Sequence, residues 1–236
     1  MRLFETNWQQ IEAYLSRDDR VVVPIGSTEQ HGYLSLGTDA ILAERVAVEA
    51  AEPLGLPVLP VLPFGMAPYF SAFPGSLTLR MSTYIEVIRD LLDTLAGQGF
   101  RRIAIVNGHG GNAPAEGMVR EWLAQPRSYP VQTLFTSWYA APGVAALAAG
   151  HEADPTHGGW FENFAWTRLP GVAMPDGAKP HVSRSVIAQA SPAQVRELTG
   201  DGSFGGSYAL SEDIMDGIWQ TGVAEVRELL ENGWAR

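Results

Sequence analysis

The sequence predicts an α/β fold built around a mostly parallel β-sheet. Short apolar runs rich in β-branched residues alternate along the chain with longer segments of helical period, which is typical of this fold class. Four of these runs, each consisting mainly of apolar residues, cover residues 20–25, 57–62, 102–106 and 131–135. Because parallel strands are covered by helices on both faces, we expect these four runs to be buried strands.

Three segments between the predicted strands have the periodicity and end signals of helices. Residues 39–52 place their apolar side chains on one side, and residues 83–97 begin with the capping box Thr83-x-x-Glu86. A third helix begins near Asn112, a cap residue that is followed two positions later by proline. These segments are predicted to be helices that cross from one strand to the next.

The second half of the chain has a different character. Residues 142–180 contain scattered glycine, proline and tryptophan, so we expect a loop-rich insertion in which only residues 160–169 are helical. A capping box at residues 191–194 begins another helix, and residues 211–232 form a long closing helix. Because there is no repeat or low-complexity linker, residues 1–236 are predicted to form one domain.

The composition limits the possible partners. The chain has 236 residues, of which 26 are acidic and 16 basic, and its net charge of −10 excludes the basic surface that nucleic acids require. Charged residues make up only 18%, which indicates surface buried in an oligomer. The chain has no cysteine, so a bound metal must use histidine and carboxylate ligands. Without a signal-peptide pattern or a membrane-length apolar run, we expect a soluble, cytoplasmic protein.

Ligand-type side chains follow the first predicted strand. Glu29 and His31 lie in the segment after residue 25, and Asp39 begins the next predicted helix. In an open parallel sheet, ligands bind beyond the carboxyl ends of the strands, so these three side chains can converge there. Each also has an ordinary structural interpretation: Glu29 as a solvated carboxylate, His31 as a loop donor, and Asp39 as a residue favoured by the helix dipole.

Another histidine follows the strand predicted at residues 102–106. Glycines in residues 107–112, with the sequence NGHGGN, would let the backbone turn tightly and present His109 beside the first group. The spacing Gly108-x-Gly110-x-x-Ala113 also fits a dinucleotide fingerprint, in which backbone amides hold a phosphate. The sequence that follows has no acidic residue for a ribose. We therefore favour presentation of His109, and a phosphate- or nucleotide-binding module is the alternative.

A third group lies in the loop-rich insertion, within residues 154–163. His157 precedes two glycines, and Glu162 falls in the first turn of the helix predicted there. The glycines could let His157 fold over a site, but His157 could equally be an exposed loop residue and Glu162 a carboxylate at a helix start. The remaining histidines, His151 and His181, have no such context and are interpreted as structural.

The candidate residues form a set of metal donors. Three carboxylates and two imidazoles are provided by Glu29, His31, Asp39, His109 and Glu162. This set suits Zn²⁺ or Mn²⁺. Three carboxylates carry −3 and two divalent ions +4, so a bridging hydroxide would neutralise the cluster, whereas a single ion leaves the charges unbalanced. The charge balance favours two ions per chain.

Between residues 20 and 165 the sequence resembles the creatininase (creatinine amidohydrolase) family. Four motifs match in the family's order: VPIGSTEQHG at 23–32, LGTD at 36–39, FPGSLTL at 73–79 and NGHGGN at 107–112. The last motif is similar to that of the family's Gly-Gly subgroup. The resemblance implies a three-layer αβα fold, a hexameric assembly and hydrolysis of amide C–N bonds at a two-metal site.

The resemblance also implies a role for each ligand. Glu29 and His109 would bind one metal, His31 and Glu162 the other, and Asp39 would bridge them. In creatininase a glutamate lies two residues after the histidine that corresponds to His109. A glycine occupies that position here, and Glu162 matches the place where Gly-Gly relatives supply the missing ligand.

Other departures from the family affect the pocket. The loop between His31 and Asp39 is one residue shorter than the usual family form, and Asn163-Phe164 replaces a common Thr-Ser pair. The resemblance therefore does not specify the substrate.

The predicted function is hydrolysis of a small amide, such as a cyclic amide or a formamide, by a hydroxide held between two divalent ions. Zn²⁺ is favoured, with Mn²⁺ as the alternative. His157 would transfer a proton to the departing nitrogen, because imidazole titrates near neutral pH, and Glu162 is the second candidate catalytic residue. The competing hypotheses are a family peptidase that cleaves a short peptide, and phosphate or nucleotide binding without catalysis. A degenerate scaffold is disfavoured, because all five candidate ligands are present.

Overall fold

The main sheet contains three parallel strands, in the order β1 (Arg20–Ile25), β2 (Arg102–Asn107) and β3 (Gln132–Ser137). The computed structural model describes residues 1–152 and 156–235, so the first two residues of the segment 154–163 lie outside the described residues. The register aligns the last residues of the three strands with one another. The carboxyl ends of β1, β2 and β3 therefore meet at one edge of the sheet, and the predicted parallel sheet is confirmed.

The prediction of a continuous strand at residues 57–62 is wrong. Val58 and Leu62 form only isolated parallel bridges to β1. The amides of Leu59 and Leu62 still donate to carbonyl oxygens of β1, at 2.9 and 3.0 Å. These donors are three residues apart, whereas their acceptors in β1, Val22 and Pro24, are two apart, so an extra residue interrupts the ladder between the two bonds.

The strand β3 is more exposed than the sequence pattern predicts. All six of its residues are half-buried, whereas five of the six residues in β1 and in β2 are buried. Among the described strands, β3 lies at an edge of the sheet, and polar side chains such as Gln132 and Thr136 suit that position. The expectation of burial on both faces is therefore wrong for this strand.

The described residues contain eight α-helices. In chain order they are α1 (Trp8–Leu15), α2 (Thr38–Ala51), α3 (Met81–Gln98), α4 (Pro114–Leu123), α5 (Pro142–His151), α6 (Arg184–Ile187), α7 (Pro192–Thr199) and α8 (Glu212–Asn232). The helices predicted at residues 39–52, after residue 191 and at 211–232 are confirmed as α2, α7 and α8. A short antiparallel pair, β4 (Ala178–Lys179) and β5 (Gly206–Ser207), lies outside the main sheet.

The helices cover the sheet and bury its apolar side chains. Helix α8 packs against α2 and α5, and α3 packs against α4. The resulting core includes Val21, Val22, Ile103 and Ile105 from the sheet, with Leu42, Val46, Ile88 and Leu92 from α2 and α3. Each such side chain contributes about 1.5–3 kcal/mol on burial. Within residues 1–152 and 156–235, no helix combines the length and apolarity that crossing a membrane requires.

Two predicted helix starts are wrong. Helix α3 begins at Met81 rather than at the Thr83 capping box, and its N-terminus has no side-chain cap. Asn112 does not cap α4, which begins at Pro114. Its side-chain amide instead donates to the carbonyl oxygen of Gly26 at 3.1 Å. Asn112 thus connects the turn after β2 to the turn after β1.

The insertion at residues 142–180 contains a helix that the sequence pattern does not predict. Helix α5 consists mainly of alanine and glycine and has no apolar stripe. The amide of Gly143 donates to Glu225 Oε1 at 2.8 Å, so a side chain of α8 caps the first turn of α5. The helix predicted at residues 160–169 is wrong, because only Trp160–Glu162 form a single 3₁₀ turn.

Candidate metal centre

Three turns meet at the carboxyl edge of the sheet. The segment after β1 carries Glu29 and His31, the turn after β2 carries His109, and the first turn of α2 carries Asp39. These four side chains are buried. Glu162 reaches the same place from the 3₁₀ turn of the insertion and is half-buried. The structure thus brings together the five residues that the sequence predicts as metal ligands.

Two glycines allow α2 to approach the strand ends this closely. A Cβ atom at Gly26 would lie 2.5 Å from Ala40 Cα, and one at Gly108 would lie 2.4 Å from the carbonyl oxygen of Asp39. Both separations are far below a van der Waals contact, so a side chain at either position would push the first turn of α2 outward. Asp39 reaches the site because these two positions lack side chains.

Asp39 lies at the centre of the five side chains. Its Oδ1 is 3.0 Å from His31 Nε2, and its Oδ2 is 2.9 Å from His109 Nδ1. Glu29 Oε2 lies 3.2 Å from His109 Nε2, and Glu162 Oε1 lies 3.8 Å from His31 Nε2. The residues form two triads, Glu29–Asp39–His109 and His31–Asp39–Glu162, and the ligand atoms within each triad lie within 4.8 Å of one another. Asp39 belongs to both triads.

The buried carboxylate oxygens of the cluster fit a cation. Both oxygens of Glu29 and the Oδ2 atom of Asp39 accept no well-formed hydrogen bond, although nitrogens of His109 lie 3.2 Å from Glu29 Oε2 and 2.9 Å from Asp39 Oδ2. Three carboxylates face only two imidazoles, and burying negative charge that is not fully compensated is strongly unfavourable. A divalent cation coordinated by these oxygens would remove that penalty, and carboxylates and imidazoles are donors that Zn²⁺ and Mn²⁺ accept. The cluster therefore fits a metal centre.

The charges of the cluster hold protons on its two imidazoles. Burial alone would lower the pKa of His31, but the charges of Asp39 and Glu162 outweigh it and raise the pKa to about 10. Burial would likewise lower the pKa of His109, but the charges of Glu29 and Asp39 outweigh it and raise this pKa to about 9. The two imidazoles hold the pKa of Asp39 well below its usual range despite its burial. Burial is the main cause of the raised pKa of Glu29 and of Glu162.

His157 lies against this cluster. Its Nε2 is 2.7 Å from the carbonyl oxygen of Gln30, and its Nδ1 is 3.8 Å from Glu29 Oε1. The ring stacks on Phe70, with centroids 4.5 Å apart, and lies 4.3 Å from the ring of His31. Burial and the charge of His31 hold the pKa of His157 well below its usual value. The imidazole of His157 is therefore neutral beside the candidate ligands.

The position two residues after His109 has no room for a side chain. A Cβ atom at Gly111 would lie 2.1 Å from the carbonyl oxygen of Met66 and 2.3 Å from His109 Nε2. Glu162 joins the cluster instead, and its Oε2 accepts a hydrogen bond from the amide of Gly158 at 2.7 Å. This bond aims the other oxygen of Glu162 towards the cluster.

The two remaining histidines lie outside the cluster. His181 Nε2 is 3.1 Å from Glu152 Oε1, and the ring of His151 packs edge-on against Trp160. The first contact joins the insertion to the residue that follows it, and the second joins two segments within the insertion.

A cavity of about 450 Å³ opens onto the cluster. Its walls include residues that sequence reasoning missed: Tyr69, Phe70, Tyr139, Arg184 and Phe204. Tyr139 follows the carboxyl end of β3, and that position is a signal that could have identified it. The other residues come from loops and a short helix, where no periodic pattern points to a site.

The fold and the site together define an α/β protein with a candidate metal centre at the carboxyl edge of a parallel sheet. The model of the Creatininase family, described as creatinine amidohydrolase, matches residues 4–230. The chain belongs to the creatininase family.

Curated relatives and solved structures agree with this membership. Creatinine amidohydrolase from Pseudomonas putida is 32% identical over 112 residues, covering 44% of this chain and 43% of that protein. Mycofactocin precursor peptide peptidase from Mycolicibacterium smegmatis is 37% identical over 102 residues, covering 40% of this chain and 41% of that protein. The chain thus spans less than half the length of these curated relatives. The structure of a mutant creatininase complexed with creatine matches this chain with a TM-score of 0.83 at 20% identity, and the match covers 100% of this chain and 99% of that chain. This similarity confirms the three-layer fold.

Proposed function

We propose that this chain is a metal-dependent hydrolase of C–N bonds in small amides. Glu29, Asp39 and His109 hold one divalent ion in this proposal, and His31, Asp39 and Glu162 hold a second. The observation that carries the proposal is the position of Asp39, whose two oxygens face one imidazole of each triad at 3.0 and 2.9 Å. The description of the family as creatinine amidohydrolase supports the class of reaction.

The donor set and its charge determine the choice of ion. Two imidazoles and three carboxylates favour Zn²⁺, with Mn²⁺ as the alternative. Two divalent ions would balance the three carboxylates and one hydroxide, whereas one ion would not.

The chain's own residues would position and move protons in this reaction. When bound, the ions would polarise the amide carbonyl and make hydroxide available at neutral pH. A proton on His157 Nε2 would be directed to the carbonyl oxygen of Gln30, 2.7 Å away, so that Nδ1 faces the cluster. Nδ1 could then accept the proton of the attacking water and deliver it to the departing nitrogen. The stacked ring of Phe70 keeps the imidazole in this orientation.

A family peptidase that acts on a short peptide is the second candidate. One curated relative, at 37% identity, is a peptide peptidase. The cavity of about 450 Å³ has room for a small amide or for the end of a peptide. Phosphate binding at the NGHGGN turn is disfavoured, because the turn opens onto the carboxylates of Glu29, Asp39 and Glu162.

Assembly and location are part of the same proposal. A homo-oligomer is supported by the charged fraction of 18% and by the open edge of β3, and the resemblance to the family favours a hexamer. We place the protein in the cytoplasm.

The test is metal analysis of the purified protein by mass spectrometry, before and after chelation, with the native mass of the assembly recorded on the same sample. About two equivalents of zinc or manganese per chain are expected, together with chelator-sensitive hydrolysis of cyclic amides, formamides or short peptides. A protein that contains no metal and takes up none on reconstitution would contradict the proposal.

A further inference from the structure

Two groups of Gln30 compete for the same nitrogen of His157. The carbonyl oxygen of Gln30 lies 2.7 Å from His157 Nε2, and the side-chain nitrogen of Gln30 lies 2.9 Å from the same atom. A carbonyl oxygen accepts a hydrogen bond, whereas an amide nitrogen donates one. Because a neutral imidazole carries its proton on one of its two nitrogens, Nε2 can satisfy either the carbonyl or the amide, but not both at once.

The orientation of the Gln30 side chain is fixed by its other contacts. Its Oε1 accepts a hydrogen bond from the amide of Gly32 at 3.0 Å, and its Nε2 donates one to the carbonyl oxygen of Gly202 at 3.0 Å. Exchanging the two ends of the amide would place donor against donor and acceptor against acceptor. Gln30 is buried, and Gly202 leaves the space for it, since a Cβ atom there would collide with Oε1. The side chain therefore offers a donor to His157.

The other ring nitrogen decides which of these contacts is made. His157 Nδ1 faces Glu29 Oε1 at 3.8 Å, and Glu29 is a candidate metal ligand. Without a metal, the charge of this carboxylate favours a proton on Nδ1, which leaves Nε2 bare and able to accept from the Gln30 amide. Once Glu29 binds a cation, its charge no longer favours a proton on Nδ1, and a proton on Nε2 can be donated to the Gln30 carbonyl. Each contact thus suits one state of the site.

The packing around His157 restricts rotation of its ring. The ring contacts those of Phe70, Phe204 and His31, with centroids 4.5, 5.1 and 4.3 Å away. The amide of Phe204 also donates to the carbonyl oxygen of His157 at 3.0 Å. A ring packed in this way can respond to a change at Glu29 by changing its tautomer without turning.

We propose that Gln30 is a positioning residue that lets His157 change its tautomer with the metal state of the site while the ring keeps its place. In the metal-free protein the proton lies on Nδ1, and the Gln30 amide donates to Nε2. In the metal-loaded protein the proton lies on Nε2 and is donated to the Gln30 carbonyl, so that Nδ1 can accept the proton of the attacking water. One nitrogen releases a proton to solvent and the other takes one up, so the ring stays neutral. The inference rests on the proposed function for the metal and for the role of Nδ1.

The test is nitrogen NMR of protein labelled at its histidine rings, which distinguishes a protonated ring nitrogen from a bare one and from one bound to zinc. Spectra of the chelated and the zinc-loaded protein are recorded at pH 8, above the pKa of about 7 of Glu29, and the signals of His157 are assigned by their absence from His157→Gln. Gln30→Met removes the amide donor at similar volume, and Gln30→Glu keeps the shape but offers only acceptors. Ser76→Ala is the matched control, because Ser76 Oγ accepts a hydrogen bond from the backbone amide of Gln30 at 2.9 Å and is not among the described partners of His157.

We expect the proton of His157 mainly on Nδ1 in the chelated protein and mainly on Nε2 in the zinc-loaded protein. Both Gln30 variants should lower the ratio of the Nδ1–H to the Nε2–H tautomer in the chelated protein by about fivefold, which corresponds to the loss of one hydrogen bond. Ser76→Ala should leave the ratio unchanged. The same tautomer in both metal states, or zinc on a nitrogen of His157, would overturn the inference. Equal ratios in the Gln30 variants and the unaltered protein, or an equal change in Ser76→Ala, would also overturn it.

Failure of the proposed function has a different signature. Zinc uptake and amide hydrolysis with no change of tautomer would remove the inference and leave the proposed function standing. Conversely, the expected tautomers with zinc uptake, but without hydrolysis of any amide, would count against the proposed hydrolase and not against Gln30. A protein that takes up no zinc would contradict the proposed function, and the ratios in the chelated variants would still decide whether the Gln30 amide acts on His157.

Discussion

His109 Nδ1 lies 2.9 Å from Asp39 Oδ2, although the two residues belong to different elements of the fold. The other oxygen of Asp39 lies 3.0 Å from His31 Nε2, so one carboxylate faces both imidazoles of the cluster. Gly108 permits this approach, because its Cα lies against the backbone of Asp39 where a side chain would collide. If the cluster holds two ions, Asp39 is the residue on which both depend.

Substitution at Asp39 should therefore affect metal content more than substitution at Glu162. We expect Asp39→Asn to lose both ions, because the amide provides one weaker donor in place of two charged oxygens. Glu162→Gln should lose or weaken one ion, because Glu162 belongs to a single triad. Metal content per chain is measured by mass spectrometry after dialysis against a weak chelator.

A carboxylate outside the cluster provides the control for these two variants. Glu152 accepts hydrogen bonds from Trp160 and pairs with His181, so Glu152→Gln should keep the metal content of the unaltered protein. Unchanged metal content in Glu162→Gln would remove the two-ion assignment, and equal losses in all three variants would indicate a general loss of folding.

Metal uptake should release protons, because the metal-free cluster retains them. The pKa values of His31 and His109 are raised to about 10 and about 9, so both imidazoles are protonated at neutral pH without a metal. Metal ligation requires them to be neutral. We expect the release of at least two protons per chain at pH 7.5, two from the imidazoles and a further one if a hydroxide forms, measured by calorimetry in buffers of different ionisation enthalpy.

The same raised pKa values determine how the stability of the chelated protein depends on pH. A histidine whose pKa is higher in the folded state than in the unfolded state stabilises the folded state. The stabilisation is complete below the unfolded pKa of 6.5 and is lost as pH rises through the folded pKa. Unfolding of the chelated protein should therefore become easier between pH 7 and 10, and the metal-loaded protein should show a weaker change. Metal uptake without proton release would contradict this description of the cluster.

The location of the cluster could be predicted from local sequence signals. Glu29 and His31 follow one strand and His109 follows another, and parallel strands place their carboxyl ends at one edge. Asp39 was identifiable because it lies at the start of the helix after β1, in its first turn. The close approach of α2 to the strand ends could not be predicted from the sequence. It depends on which backbone packs against Gly26 and Gly108, and only the packed structure determines that.

Other features of the molecule depend on contacts between distant segments. Helix α5 has no apolar stripe, and its first turn is capped by Glu225 from α8, so neither periodicity nor a local cap marks it. Glu162 was predicted on a helix, but it lies in a single 3₁₀ turn where a hydrogen bond from Gly158 orients its side chain. Arg184 lies on a helix of four residues, too short for a periodic signal.

Removal of the His157 imidazole should separate catalysis from metal binding. We expect His157→Ala to keep the metal content and to lose about 10²–10⁴-fold in kcat, the range typical of a general acid or base. His151→Ala is the control, because His151 lies outside the cavity lining and packs against Trp160. His157 also forms a possible ligand group with Glu29 and His31, so loss of metal in His157→Ala would make it a ligand rather than a proton carrier.

The helix cap provided by Glu225 should contribute measurably to the free energy of unfolding. Its carboxylate accepts hydrogen bonds from the amides of Gly143 and Val144, in the first turn of α5. We expect Glu225→Ala to lower the free energy of unfolding by about 1 kcal/mol, as loss of a helix cap does, measured by urea denaturation of the metal-loaded protein. Glu228→Ala is the matched control, because Glu228 is an exposed residue of the same helix that bonds only to Asn232 among its described partners. Three alanines of α5 line the cavity, so Glu225→Ala should also lower kcat/KM. Equal free energies of unfolding for Glu225→Ala and Glu228→Ala would show that α5 does not need this cap.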